Sequence, residues 1–190
     1  ANAYTAFTHA PTADCPPDVL PDRVPLRTLP LGAKPWRMSV LLAHLTGVTL
    51  DAWLPRGDVF HATEHLLPPL KNAATVFTLH DLIFQFFPAY HLPLNRWFLT
   101  NAMPRFLRRA DAIIAVSECT KRDAIRFYNV SPEKITVIYE GANPVLRPEM
   151  DAHRIADARA RYAGNQPFIF LVSTIEPRKN ISALVDALKI

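Results

Sequence analysis

The chain has 190 residues, 49% hydrophobic and 20% charged, with 21 Lys and Arg against 17 Asp and Glu for a net charge of +4. That is enough chain for one cored domain, or for one domain and part of another. The mild, scattered basicity suits a phosphate-bearing substrate or an anionic membrane surface, and with no accompanying module motif it excludes a nucleic-acid-binding protein.

No apolar run approaches the ~20 residues of a membrane-spanning helix, so none is expected. Two cysteines, Cys15 and Cys119, have neither disulfide-framework nor metal-site spacing, which points to a reducing compartment. Eighteen prolines against five glycines imply stiff loops. The sequence begins at Ala1, so a preceding segment is expected.

Residues 1–35 are proline-rich, with one strand-like stretch at 23–29. Trp36, Val40, Leu41 and Leu45 then recur at helical spacing. From there a unit repeats: a short apolar strand, a polar loop at its C-terminal end, and in several cases a helix. The strands are expected at 58–63, 74–79, 112–116, 135–139 and 168–172. Their near-continuous hydrophobicity fits parallel strands buried on both faces. Helices are expected at 93–109, kinked at Pro104, and at 120–128, capped by Ser117 or Thr120 and stopped near Asn129. This alternation predicts an α/β fold with a Rossmann-like parallel sheet. The polar stretch 147–164 reads as an inter-domain crossing with a short helix. A domain at 1–145 and the beginning of a second Rossmann-like domain at 146–190 are therefore expected. Ile181, Leu184, Val185 and Leu188 form one apolar helix face at its end.

Ligands of open parallel sheets bind beyond the C-terminal ends of the strands. That rule selects residues 61–65, His80 with Asp81, Ser117 with Glu118, Glu140 with Gly141, and 176–179. Arg178 and Lys179 precede Asn180, a candidate N-cap for the next helix. A guanidinium can grip a phosphate bidentately, an ammonium adds point charge, and a helix N-terminus adds N–H donors. The pair therefore reads as a diphosphate site, against the alternative of solvated cations. His80 can orient a substrate hydroxyl or pair with a phosphate oxygen, or merely cap a turn. His61 and His65 would share a face only on a helix, and His61 reads as strand, so no metal is expected. No Gly-x-Gly-x-x-Gly, Walker A or Gly-x-Ser-x-Gly motif occurs. Phe84, Phe86, Phe87, Tyr90 and Trp97 stand near Arg96, Arg105, Arg108 and Arg109. They read as core plus a solvated helix face or, more sharply, as a patch that meets a membrane or a lipid-linked acceptor.

Four segments, in order, carry a resemblance. They are Thr78-Leu79-His80-Asp81-Leu82 with Phe87-Pro88; Ala110-Asp111-Ala112-Ile113-Ile114-Ala115-Val116-Ser117-Glu118; Pro132-Glu133-Lys134-Ile135-Thr136-Val137-Ile138-Tyr139-Glu140-Gly141; and Ser173-Thr174-Ile175-Glu176-Pro177-Arg178-Lys179-Asn180. From about residue 59 to 190 the chain resembles the retaining glycosyltransferases of GT-B fold called family 4, which include bacterial mannosyltransferases of polysaccharide and O-antigen assembly. The resemblance implies two Rossmann-like domains facing across a cleft, with acceptor on the first and a nucleotide-diphosphate sugar on the second. It implies metal-independent transfer with retention, and mannose as the family-level expectation for the sugar. The acceptor would be a glycan or lipid-linked, and the enzyme cytoplasmic, peripheral at the inner membrane face.

By the same carry-over His80, Arg178 and Lys179 are the catalytic candidates. Arg178 and Lys179, with Ser117 and Gly141, stand on the donor side. Asp81, His61 and Glu64 stand on the acceptor side. Position 173 is Ser where many members have Gly. The family's first strand with its Gly-rich loop, and its pair of glutamates spaced eight apart, have no counterpart here. The piece alone is thus expected to be inactive. Two other classes compete: a non-catalytic half-domain binding a glycan or lipid phosphate, and a metal phosphohydrolase built on His80 and Asp81.

Overall fold

The protein is described from a computed structural model covering residues 2–9, 24–143 and 145–188. Cys15, and Arg23 at the start of the expected 23–29 strand, lie outside the described residues. The chain divides into two compact units, Ala1–Tyr139 and Glu140–Ile190.

The first unit is a parallel α/β structure, as expected. Its main sheet contains β3 (Val59–Ala62), β4 (Ala74–Leu79), β5 (Ala112–Ala115) and β6 (Ile135–Val137), in the order β3-β4-β5-β6, with every pairing parallel. A separate parallel pair joins β1 (Ala6–Thr8) to β2 (Leu26–Thr28). β2 falls inside the expected strand. β1 was not expected, and its Phe7 packs at 5.7 Å from the Trp36 ring and 6.4 Å from Phe60.

Helix α1 (Ala33–Thr46) buries Trp36, Val40, Leu41 and Ala43, and Gly47 stops it in the left-handed conformation at φ 77°. Short α2 (Ile83–Phe86) follows β4. Helix α3 (Pro93–Arg109) runs through Pro104 and buries Phe98, Leu99, Ala102, Met103, Phe106 and Leu107 on one face. Helix α4 (Glu118–Tyr128) is N-capped by Ser117, whose side chain accepts from Thr120 N, and closed by Asn129 at φ 51°. The cap is thus Ser117 rather than Thr120. A hydroxyl at the position before the first turn satisfies one of the helix's orphan N–H groups.

The core centres on Phe77 of β4 and Phe106 of α3, both wholly buried with rings 6.0 Å apart. Burying such a side chain stabilises by about 1.5–3 kcal/mol. The β3–β4 connection has no α-helix, unlike most parallel crossovers. Instead Leu67, Pro68, Pro69 and Leu70 are themselves buried. Leu50 N donates to Pro69 O at 2.9 Å, and His44 Nε2 lies 2.8 Å from Leu67 O. Thr75, buried at the start of β4, gives its N–H and hydroxyl to Asp111 Oδ2 at 2.7 and 2.8 Å, which fixes β4 against the entry of β5.

The second unit holds α5 (Ala152–Ala163), a 3-10 turn at Pro177–Lys179, and α6 (Ile181–Ala187). Helix α5 is the short helix expected within 147–164. Asp151 caps it by accepting from His153 N and Arg154 N, and Gly164 ends it at φ 54°. The expected strand at 168–172 does not form: these residues are non-regular, with Phe170 and Val172 each 79% exposed. A strand exists through its neighbours, and among the described residues of this unit there is no other strand to supply them.

Candidate functional site

The C-terminal ends of β3, β4 and β5 form one rim, and the polar loops that follow these strands converge there. His61 projects from β3, and its Nε2 lies 2.8 Å from Thr78 Oγ1 on β4. At the end of β4, His80 Nε2 lies 2.8 Å from the Thr63 carbonyl. A carbonyl only accepts, so Nε2 carries the proton, and His80 is held as that tautomer. The His65 ring stands 6.0 Å from the His80 ring at 76°, edge to face.

On the other side of His80, its carbonyl accepts from Thr120 Oγ1 at 3.1 Å. Thr120 Oγ1 is in turn 3.0 Å from Ser117 Oγ. His80 is therefore tied by its ring to the loop after β3 and by its backbone to the first turn of α4. Asp81 Oδ1 accepts from Ile83 N at 3.1 Å, opening α2. Glu64 is exposed in the loop after β3. Of the expected residues, His61, Glu64, His80, Asp81 and Ser117 thus share this rim. Ser117 and Asp81 also have helix-opening work there.

Gly141, Arg178 and Lys179 belong to the second unit. A Cβ built on Gly141 would meet nothing within 4 Å, so packing does not require glycine there. Arg178 Nη2 pairs with Glu176 Oε1 at 2.7 Å, and Thr174 Oγ1 donates to the same oxygen at 2.9 Å. The Thr174 hydroxyl, with Arg178 after it, holds the Glu176 carboxyl below its usual range. Asn180 occupies the position before α6 at φ 49°, but its side chain makes no capping bond. The expected capping role is corrected accordingly: a left-handed backbone aims the amide away from the geometry a cap needs. Among the described residues no group of three His, Cys, Asp or Glu side chains is placed to hold a metal ion. Cys119 is a free, exposed thiol, and Arg122 Nη2 donates to its sulfur at 3.0 Å.

The aromatic segment divides. Phe84 is 3% exposed and belongs to the core, which corrects its place in the surface patch. Phe86, Phe87, Tyr90 and Trp97 are each 46–50% exposed. Phe86 stands edge-on to Phe127 at 5.2 Å, and Arg126 lies over the Phe127 ring. Of these aromatics only Trp97 belongs to α3, near its start and next to the exposed Arg96, whereas Arg105, Arg108 and Arg109 occupy the helix's last turns. At a rise of about 1.5 Å per residue Arg105 stands roughly 12 Å along the helix from Trp97, so of the expected arginines Arg96 is the one beside the aromatics.

A parallel sheet with this polar rim at its strand ends defines a Rossmann-like α/β domain of the ligand-binding type in outline. Residues 4–145 match the protein family described as Glycosyltransferase Family 4, and the chain belongs to that family. It is similar to the serotype-specific mannosyltransferase WbdA of Escherichia coli, 32% identical over 116 residues that cover 60% of this chain and 14% of that protein. It is also similar to the O-antigen chain mannosyltransferase B of Escherichia coli, 25% identical over 130 residues, 68% of this chain and 34% of that protein. The chain therefore spans only about a seventh to a third of the length of these relatives.

Proposed function

We propose that this chain is part of a retaining GT-B glycosyltransferase that moves mannose from a nucleotide-diphosphate sugar to a glycan or lipid-linked acceptor. Residues 1–145 would form the acceptor side and 146–190 the start of the donor side. The observation that carries the reading is the His80 rim, which stands at the strand ends within the family-matched residues. The names of the two relatives, both mannosyltransferases and one of O-antigen chains, supply the sugar and the acceptor class.

In this reading His80 faces the donor sugar at the reacting centre, its tautomer fixed by the Thr63 carbonyl. His61, Glu64 and Asp81 line the acceptor side. Ser117 and Gly141 border the donor. Arg178 and Lys179 hold the diphosphate and stabilise the charge that grows on it as the glycosidic bond to the sugar breaks, an electrostatic task that requires no metal. The Glu176 carboxylate holds Arg178 in place before the donor arrives.

The protein would act at the cytoplasmic face of the inner membrane as a peripheral enzyme. Among the described residues no helix is long and apolar enough to cross a membrane, and Phe86, Phe87, Tyr90 and Trp97 offer an exposed aromatic surface that suits an interface.

The test is transfer of labelled mannose from GDP-mannose to extracted lipid-linked glycan by the intact protein, with and without a chelator. Retained label in the lipid fraction, lost in His80→Ala and unaffected by chelator, is the expected result. No transfer from any nucleotide sugar by an intact, folded protein would overturn the reading.

A further inference from the structure

A second polar concavity lies at the opposite edge of the sheet from the His80 rim. It is a cleft of about 800 Å³ whose lining includes Lys71, Ala74, Arg105, Arg108, Arg109 and Asp111. Ala74 begins β4 and Asp111 immediately precedes β5, so the cleft opens at the N-terminal ends of these strands. One wall is the end of the β3–β4 crossover, and the other is the last turns of α3.

Backbone contacts fix both walls. The Arg109 guanidinium donates to Leu70 O and joins one wall to the other. Lys71 N donates to the Asp51 carboxylate at 3.1 Å, and Arg108 O accepts from Lys134 Nζ at 2.8 Å. The Lys71 ammonium and the Arg108 guanidinium have no hydrogen-bond or ion-pair partner among the described residues, and Arg105 donates to the Asn101 carbonyl within its own helix. The cleft thus gathers four cations against a single carboxylate, Asp111, whose Oδ2 is already engaged by Thr75. Cations in the last turn of α3 answer its macrodipole, which accounts for Arg108 and Arg109 alone. It does not account for Lys71, brought to the same cleft from a different segment. Like charges that line one cleft repel one another, and an anion in the shared space offsets that repulsion.

We infer that this cleft is a binding site for a diphosphate-bearing ligand, separate from the proposed donor site and independent of the proposed transfer. Single-phosphate recognition would need two of the cations, whereas four spread over a cleft of small-molecule size suit two linked phosphates. The diphosphate could be carried by a soluble compound or by a lipid, and the chemistry that recognises it is the same.

The probes are inorganic pyrophosphate, followed by calorimetry, and vesicles of phosphatidylcholine with or without diacylglycerol pyrophosphate, followed by flotation. All arms use the intact protein with Arg178→Ala and Lys179→Ala, so that the proposed donor site contributes no pyrophosphate binding. Saturable binding that weakens at least tenfold in Lys71→Gln/Arg108→Gln, and is unchanged in Arg159→Gln/Arg161→Gln, two helical cations of the second unit that do not line the cleft, is the expected result. Because neither Lys71 nor Arg108 uses its side chain in the fold, the double variant should unfold at the same temperature as its parent. Flotation with diacylglycerol pyrophosphate that falls in the same double variant assigns the diphosphate to a lipid. Unchanged flotation beside lost pyrophosphate binding assigns it to a soluble ligand. Pyrophosphate affinity equal in parent and double variant, or no saturable binding at all, overturns the site.

Discussion

The Thr120 hydroxyl donates to the His80 carbonyl at 3.1 Å, joining the first turn of α4 to the residue that ends β4. Thr120 is 6% exposed and its hydroxyl also meets Ser117 Oγ. One side chain therefore ties the residue after β4 to the Ser117 cap that opens α4.

Thr120→Val should keep the fold, cost about 1 kcal/mol for the lost hydrogen bond, and lower turnover severalfold without a matching change in KM. Thr120→Ser should restore most of the loss. Thermal unfolding and steady-state kinetics of the intact protein check this; a valine variant with unchanged kcat would remove Thr120 from any positioning role.

Arg178→Ala and Lys179→Ala should each reduce kcat/KM for the nucleotide sugar. A charge-assisted bond to phosphate contributes about 1.5–3 kcal/mol, or roughly ten- to hundredfold. The larger effect is expected for Arg178, which Glu176 already holds. Kinetics near those of the parent in both variants would return the two residues to solvated cations.

Asp111 should contribute acid-sensitive stability. Hydrogen bonds from Thr75 N, then from its hydroxyl, hold the Asp111 carboxyl below the usual range. A depressed folded pKa gives stability that is full above the unfolded value, about 3.9, and lost as pH falls through the folded one. The residue is exposed, so the contribution is discounted to about 1 kcal/mol. Asp111→Asn should lower Tm at pH 7 and narrow the gap from the parent as pH drops below 4; a gap constant over pH 3–7 would count against this.

The Phe77–Phe106 contact should dominate the core. Phe106→Ala is expected to cost about 3–5 kcal/mol through lost burial and the cavity left behind. Phe86→Ala, at a side chain 46% exposed, should cost well under 1 kcal/mol. Urea unfolding of both variants gives the comparison, and similar losses would mean that Phe86 is packed.

Much of this fold is readable from local pattern. β4 and α3 fall where apolar runs and the 3.6 period put them, because Phe77, Leu79, Phe106 and Leu107 mark faces that must be buried. β1 escaped, since Ala6-Phe7-Thr8 is too short to carry a period. Phe168 to Val172 misled in the other direction: hydrophobicity announces what a strand would bury but cannot supply the neighbouring strand. The His80 rim was legible because strand ends in parallel sheets are where loops converge. The basic cleft was not, because Lys71 and Arg105 lie far apart in sequence and meet only where the buried crossover returns to α3.

That crossover also bears on how the chain tolerates rearrangement. A connection whose Leu67, Pro68, Pro69 and Leu70 are all inside cannot be lengthened or exchanged as an ordinary surface loop can. Chimaeras with related sequences should therefore keep residues 59–79 as one inherited block. Splice points belong in the exposed stretch 146–148, ahead of Glu149 and the Asp151 cap that open α5.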